Sequence, residues 1–153
     1  MRHLNNNTPI RILLIEDNPG DVILLKKAFS KSKLTIDIIE ACDGEIALTT
    51  LNNNKAILDM IILDLNLPKK NGLEVLQVIK NTDILKRIPV IVLTSSQAEN
   101  DIANSYDHKA NCYIVKPHSI NNFIEIAQTI ENFWMSIVTY PNKSVEKHDL
   151  AKT

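Results

Sequence analysis

Met60-Ile-Ile-Leu-Asp-Leu-Asn-Leu-Pro68 is a short apolar run that stops on a carboxylate, Asp64, and breaks into a loop. Two further runs end in the same manner. Ile10-Arg-Ile-Leu-Leu-Ile15 stops at Glu16 and Asp17, and Cys112-Tyr-Ile-Val115 stops at Lys116. Brief, β-branched runs with polar borders read as strands buried on both faces of a parallel sheet. The C-terminal ends of such strands form the ligand crevice. Three carboxylates and one ammonium are therefore expected at a single edge of the fold, a set suited to a divalent cation and a phosphoryl group.

Outward from these runs the chain alternates between two periodicities. Residues 1–8 read as a disordered lead, and Pro9 precedes the first strand. Asn18 as N-cap and Pro19 at the first position predict a helix over 19–31. A strand follows over 34–41, Asp43-Gly44 reads as a turn, and Ile46, Ala47, Leu48 and Leu51 suggest a short helix. The loop 65–72 leads to a helical face of Leu73, Val75, Leu76 and Ile79. Val90-Ile-Val-Leu93 is a fourth buried strand, 97–108 a polar helix, and a long helix starts near Ile120 and ends at Tyr140-Pro141. Five strand-then-helix repeats predict one α/β domain over 9–140, with a polar tail at 141–153. The expected architecture is a flavodoxin-like, doubly wound, five-stranded parallel sheet of order 2-1-3-4-5 with helices on both faces. In that order strands one and three are neighbours, which brings Glu16, Asp17 and Asp64 together.

Composition narrows the chemistry. The 153 residues fit one domain, and 23% charged with 44% apolar residues is ordinary for a globular chain. A net charge of −1 gives no field to attract nucleic acid, and Lys26-Lys27, Lys69-Lys70 and Lys86-Arg87 read as solvated faces. Cys42 and Cys112 are expected as buried free thiols, and the four histidines lack metal-ligand spacing. Neither a signal-peptide core nor a membrane span can be drawn, so a cytoplasmic location with no membrane partner is expected. Only three glycines exist, and no G-x-G-x-x-G or P-loop pattern can be written. Any phosphate must then be held by side chains, a metal and single turns.

Asp17 and Asp64 are the candidate direct ligands of Mg²⁺, with Glu16 acting through water. Glu16 and Asp17 taken alone would equally serve as the acidic cap of the helix that follows. Lys116, just before Pro117, can balance the carboxylates, contact a phosphoryl oxygen, or simply occupy a surface loop. Thr94, Ser95 and Ser96 follow the fourth strand at the same edge, where a hydroxyl can donate to a phosphoryl oxygen. In the last helix Phe123, Ile126, Ala127, Ile130, Phe133, Trp134, Ile137 and Val138 recur at helical spacing. A helix of that length overhangs the sheet. Phe133, Trp134 and Ile137 then either fold onto the chain's own surface or form a partner surface, most simply in a twofold homodimer.

From about Ile10 to Val138 the chain resembles a bacterial response-regulator receiver domain. The resemblance rests on Ile-Leu-Leu-Ile-Glu-Asp-Asn (12–18), Ala-Cys-Asp-Gly-Glu-Ile-Ala-Leu (41–48), Ile-Leu-Asp-Leu-Asn-Leu-Pro (62–68), Asn-Gly-Leu-Glu-Val-Leu (71–76), Val-Leu-Thr-Ser (92–95) and Tyr-Ile-Val-Lys-Pro (113–117). It implies that Asp64 accepts a phosphoryl group from a phosphohistidine on a sensor histidine kinase. It further implies Mg²⁺ held by Glu16, Asp17, Asp64 and the backbone carbonyl of Asn66. Lys116 would contact the phosphoryl group, Thr94 would hydrogen-bond to it, and Tyr113 would be the switch aromatic. Asn66 and Ser96 occupy positions that tune the lifetime of the phosphate in that family. The only catalysis expected is the domain's own phosphotransfer and autodephosphorylation. With no output domain in the sequence, the signal is expected to leave by protein contact or onward phosphotransfer to an effector.

The Trp-containing extension, the Asn-Pro-Gly-Asp start of the first helix and the Leu-Pro-Lys-Lys-Asn-Gly loop look like the single-domain regulators paired with cyanobacterial phytochrome kinases. A pseudo-receiver that acts only as an interaction module is one alternative. A metal-dependent hydrolase working through an aspartyl intermediate is the other, although the chain has no cap insertion and no second acid–base residue after Asp64.

Overall fold

Each apolar run that stops on a charge forms a strand in the computed structural model, which describes residues 8–54 and 57–141. The strands are β1 (Ile10–Ile15), β2 (Ile36–Ala41), β3 (Met60–Leu63), β4 (Val90–Thr94) and β5 (Cys112–Val115). Between and after them lie α1 (Pro19–Ser30), α2 (Gly44–Asn53), α3 (Gly72–Asn81), α4 (Glu99–Asp107) and α5 (Ile120–Ile130). All neighbouring strands are parallel and their order is β2-β1-β3-β4-β5, the flavodoxin-like, doubly wound arrangement. The lead before Thr8 and the tail from Asn142 onward fall outside the described residues.

Alternation along the central strands divides the interior into two cores. Leu13, Ile15, Ile61, Leu63, Val90 and Val92 face Leu51 of α2 and Val75, Leu76 and Ile79 of α3. Ile12, Leu14, Met60, Ile62, Ile91 and Leu93 face Leu25 and Phe29 of α1 and Phe123 and Ala127 of α5. Each fully buried aliphatic side chain contributes about 1.5–3 kcal/mol. Both faces of β1, β3 and β4 are thereby closed, and only strand ends remain for chemistry. No helix among the described residues is long and apolar enough to cross a membrane.

The helix starts have clear local causes. Asn18 accepts hydrogen bonds from the N–H groups of Gly20 (2.9 Å) and Asp21 (3.2 Å), and Pro19 takes the first helical position. Asp43 caps α2 through Ile46 N–H and Asn71 caps α3 through Glu74 N–H. The expected Asp43-Gly44 turn is thus a helix cap instead. None of the glycines has positive φ; among the described residues the left-handed positions are Lys69 (φ 66°) and Lys109 (φ 70°). Gly44 and Gly72 serve close approach. A Cβ on Gly44 would lie 2.0 Å from the Lys70 carbonyl oxygen, and one on Gly72 would lie 2.4 Å from that of Asp64.

Five further expectations are corrected. β2 begins at Ile36 rather than at 34, and α4 is shorter than 97–108. β5 is only half-buried along its length, because it is an edge strand paired with β4 alone. Cys42 is exposed just beyond β2 and Cys112 is half-buried, both as free thiols. The last helix is not one α-helix. After Ile130 it continues as a π-helix over Glu131–Ile137, closed by Val138 N–H donating to the Phe133 carbonyl (3.0 Å), and ends at Val138 before Tyr140-Pro141. The wider turn carries Met135, five residues past Ile130, onto the core face, where both are buried. Phe133 and Ile137 are left exposed, and Trp134 packs half-buried against the second core.

Candidate functional site

The sheet ladder runs one residue past the strands and so fixes the charged residues that follow them. Glu16 N–H donates to the Ala41 carbonyl, Asp64 N–H to that of Ile15, and Lys116 N–H to that of Thr94, at 2.8–3.0 Å. Glu16 and Asp64 are buried while Asp17 is exposed. Their carboxylates each bring an oxygen within 4.8 Å of the others. Asp64 lines a cleft of about 610 Å³ together with Asp17, Asn66, Ser95, Gln97 and His118.

Lys116 is the hub. Its Nζ donates to Glu16 Oε2 (2.6 Å), Asp21 Oδ2 (2.8 Å) and Asp64 Oδ2 (2.8 Å). On the other oxygen of Asp64, Oδ1, converge the Thr94 hydroxyl (2.7 Å) and the Asn66 N–H (3.1 Å). Glu16 Oε1 accepts from Asn18 N–H at 3.0 Å. Burial, reinforced by the charge of Asp64, pushes Glu16 up to about 7 despite its bond to Lys116. Burial also works against ionised Asp64, but the hydrogen bonds from Lys116 and Thr94 outweigh it and hold that carboxyl below the usual range. Lys116 pays a desolvation cost as well, yet its bonds to Asp21, Asp64 and Glu16 hold its ammonium above the ordinary lysine range.

Four carboxylates against one ammonium leave a strong excess of negative charge. Asp17 has neither hydrogen bond nor ion pair among the described residues, so one oxygen ligand is free to take a cation. The donors are all hard oxygens, which fits Mg²⁺ or Mn²⁺. The structure brings Glu16, Asp17, Asp64, Asn66, Thr94 and Lys116 together at one end of the sheet. Tyr113 is joined to this group indirectly, its hydroxyl donating to the Ser96 carbonyl at 2.8 Å. The Ser96 side chain turns to Asp101 (2.5 Å), leaving Ser95 and Gln97 to line the cleft. Phe133, Trp134 and Ile137 are elsewhere. Their segment starts at Glu131, bonded to Ser32 just ahead of β2, at the opposite end of the sheet from the carboxylates.

Asp21 is the residue that sequence reasoning left out. As the third residue of α1 it reads as a helix-start acid, and nothing local reveals a partner 95 residues away. Gly72 is the second. Its lack of a side chain lets α3 begin against the backbone of Asp64 and Leu65, and its N–H donates to the Leu65 carbonyl at 2.9 Å.

Comparison with known proteins agrees in extent and in shape. The family model for the response regulator receiver domain matches residues 12–128. Response regulator Rcp1 of Synechocystis sp. is 40% identical over 141 residues, spanning 89% of this chain and 96% of that protein. The phosphorylated cyanobacterial phytochrome response regulator RcpA superposes with a TM-score of 0.85 at 41% identity, over 88% of this chain and all of that one. The Mn²⁺-bound form of response regulator Rcp1 superposes with a TM-score of 0.83 at 40% identity, over the same shares.

Proposed function

The chain belongs to the response regulator receiver domain family, and we propose that it works as a switch in which Asp64 accepts a phosphoryl group. The observation that carries this reading is the setting of the Asp64 carboxylate. One oxygen takes Thr94 and Asn66, the other takes Lys116, and Glu16 and Asp17 stand beside it. In the reaction an Asp64 oxygen forms a bond to phosphorus as the P–N bond of a kinase phosphohistidine breaks. The imidazole leaves with the electron pair and takes up a proton. Such transfers depend on positioning and on neutralising charge over the equatorial oxygens.

Glu16, Asp17 and Asp64 would hold Mg²⁺, with Asn66 at their side, and the bound ion would supply positive charge to the phosphoryl oxygens. Lys116 supplies a second positive charge, as a point donor. Thr94 connects the event to the rest of the molecule, since its bond to Asp64 must be remade to the new oxygens. Tyr113, through Ser96, is the aromatic placed to follow that change.

The phosphodonor is a sensor histidine kinase in the cytoplasm, and a phytochrome-type kinase in particular, as the resemblance to the two cyanobacterial regulators supports. Output passes by protein contact or onward phosphotransfer, and the exposed Phe133 and Ile137 beside Trp134 are the surface for a second copy of the chain. The test is intact mass after addition of Mg²⁺ and a small acyl phosphate. One phosphoryl group on the native chain and none on Asp64→Asn is the expected result. An equal adduct on both would move the acceptor to another residue, and none on either with a rapid quench would leave an interaction module in its place.

A further inference from the structure

We infer that Asp21 is a positioning residue for Lys116, holding its ammonium in place when Glu16 and Asp64 are drawn into other bonds. The inference rests on the proposed phosphoacceptor role of Asp64. An ammonium has three N–H donors, and Lys116 uses one on each of three carboxylates, Glu16, Asp21 and Asp64. Two of those three, Glu16 and Asp64, also belong to the carboxylate cluster with the geometry to hold a cation. Asp21 does not. A cation on the cluster competes for the Glu16 and Asp64 oxygens, and a phosphoryl group on Asp64 changes the oxygen that Lys116 meets. Asp21 is the one partner that both events leave untouched.

The position of Asp21 is itself rigid. It occupies the first turn of α1, behind Pro19, and its N–H is bound by the Asn18 side chain at 3.2 Å. The Asn18 N–H in turn donates to Glu16 Oε1. Residues 16–21 thus form one braced unit that carries two of the three anchors of Lys116. Lys116 lies on a flexible four-carbon stem, and its side chain is only 9% exposed. Without an anchor on α1 the ammonium would have to find the phosphoryl oxygens from a spread of rotamers.

The test joins two readouts on the native chain, Asp21→Asn and Asp21→Glu. The first is the NMR signal of the Lys116 ammonium protons in saturating Mg²⁺, which survives solvent exchange only while the group is held. It is expected in the native chain, lost in Asp21→Asn and restored in Asp21→Glu. The second is phosphorylation by a small acyl phosphate. Its maximal rate is expected to fall about tenfold in Asp21→Asn, while half-saturation by Mg²⁺ moves less than about twofold. An ammonium signal that persists in Asp21→Asn overturns the inference, as does a Mg²⁺ half-saturation that shifts in step with the rate. If the native chain takes up no phosphoryl group, the functional reading fails by itself, and the ammonium signal still decides the role of Asp21.

Discussion

The Thr94 hydroxyl donates to Asp64 Oδ1 at 2.7 Å, joining the end of β4 to the residue that follows β3 with both side chains buried. The bond ties the start of the β4–α4 loop to the Asp64 carboxylate. Thr94→Val keeps the shape and deletes the donor. Asp64 should then titrate at higher pH, because one of the bonds that favour its charged form is gone. The phosphoryl adduct should still form, but the Tyr113 resonances should no longer respond to it. Carboxyl-selective NMR titration and spectra with and without phosphodonor check both halves.

The metal-free protein should lose stability as pH rises from about 5 to about 7.5. Glu16 is pushed up to about 7 from an ordinary value of 4.5. Between those values the folded chain binds more protons than the unfolded one, so this contribution is full below about 4.5 and lost as pH rises through 7. Asp64 acts in the opposite sense, its lowered pKa giving stability that is lost only under stronger acid. The loss through the Glu16 window is up to about 3 kcal/mol. Mg²⁺ competes for the same carboxylate, so its binding should weaken up to about tenfold per pH unit below 7. Thermal unfolding and calorimetric Mg²⁺ titrations across that range measure the two trends.

Gly72→Ala and Gly20→Ala should part sharply. At position 72 the added methyl meets the Asp64 carbonyl oxygen at 2.4 Å and Leu65 Cα at 2.5 Å, both backbone. The loop after β3 must shift, costing about 1–3 kcal/mol and weakening Mg²⁺ binding with it. At position 20 the methyl meets only Asn18 Oδ1, at 3.2 Å, so stability changes by less than about 1 kcal/mol. Denaturant unfolding of both variants, beside their Mg²⁺ affinities, is the check.

The π-helix inverts the ranking that α-helical spacing suggests for its side chains. Met135→Ala removes a buried side chain and should cost about 2–4 kcal/mol. Ile137→Ala removes one that is 68% exposed and should cost less than about 0.5 kcal/mol in the isolated chain. Equal losses in equilibrium unfolding would mean that the segment packs as an α-helix.

Strand positions and the principal charges were legible because each is a local pattern, and the sheet order followed from the strand-then-helix alternation and the flavodoxin-like expectation built on it. An apolar run says where a strand lies, and the charge that ends it lies at the sheet edge whatever the rest does. The expected order already puts β5 at the edge of the sheet, but Cys112-Tyr-Ile-Val115 is as apolar as β3, so its composition alone does not reveal faces left half-buried by pairing on one side. The spacing of Ile130, Phe133, Trp134 and Ile137 satisfies an α-helix, and only the packing of Met135 against the second core selects the wider turn. Asp21 stayed hidden because a helix-start acid has a sufficient local reason to be there.

The bond between Glu16 and Lys116 closes a loop of 100 residues. It cannot form until β5, the last of the described strands, has docked on β4 at the margin of the sheet. A nascent or clipped chain that stops short of that strand still carries Glu16, Asp17 and Asp64, but without the cation that balances them. Assembly of the site therefore reports that β5 has docked, since the ammonium that balances the carboxylates arrives only with that strand.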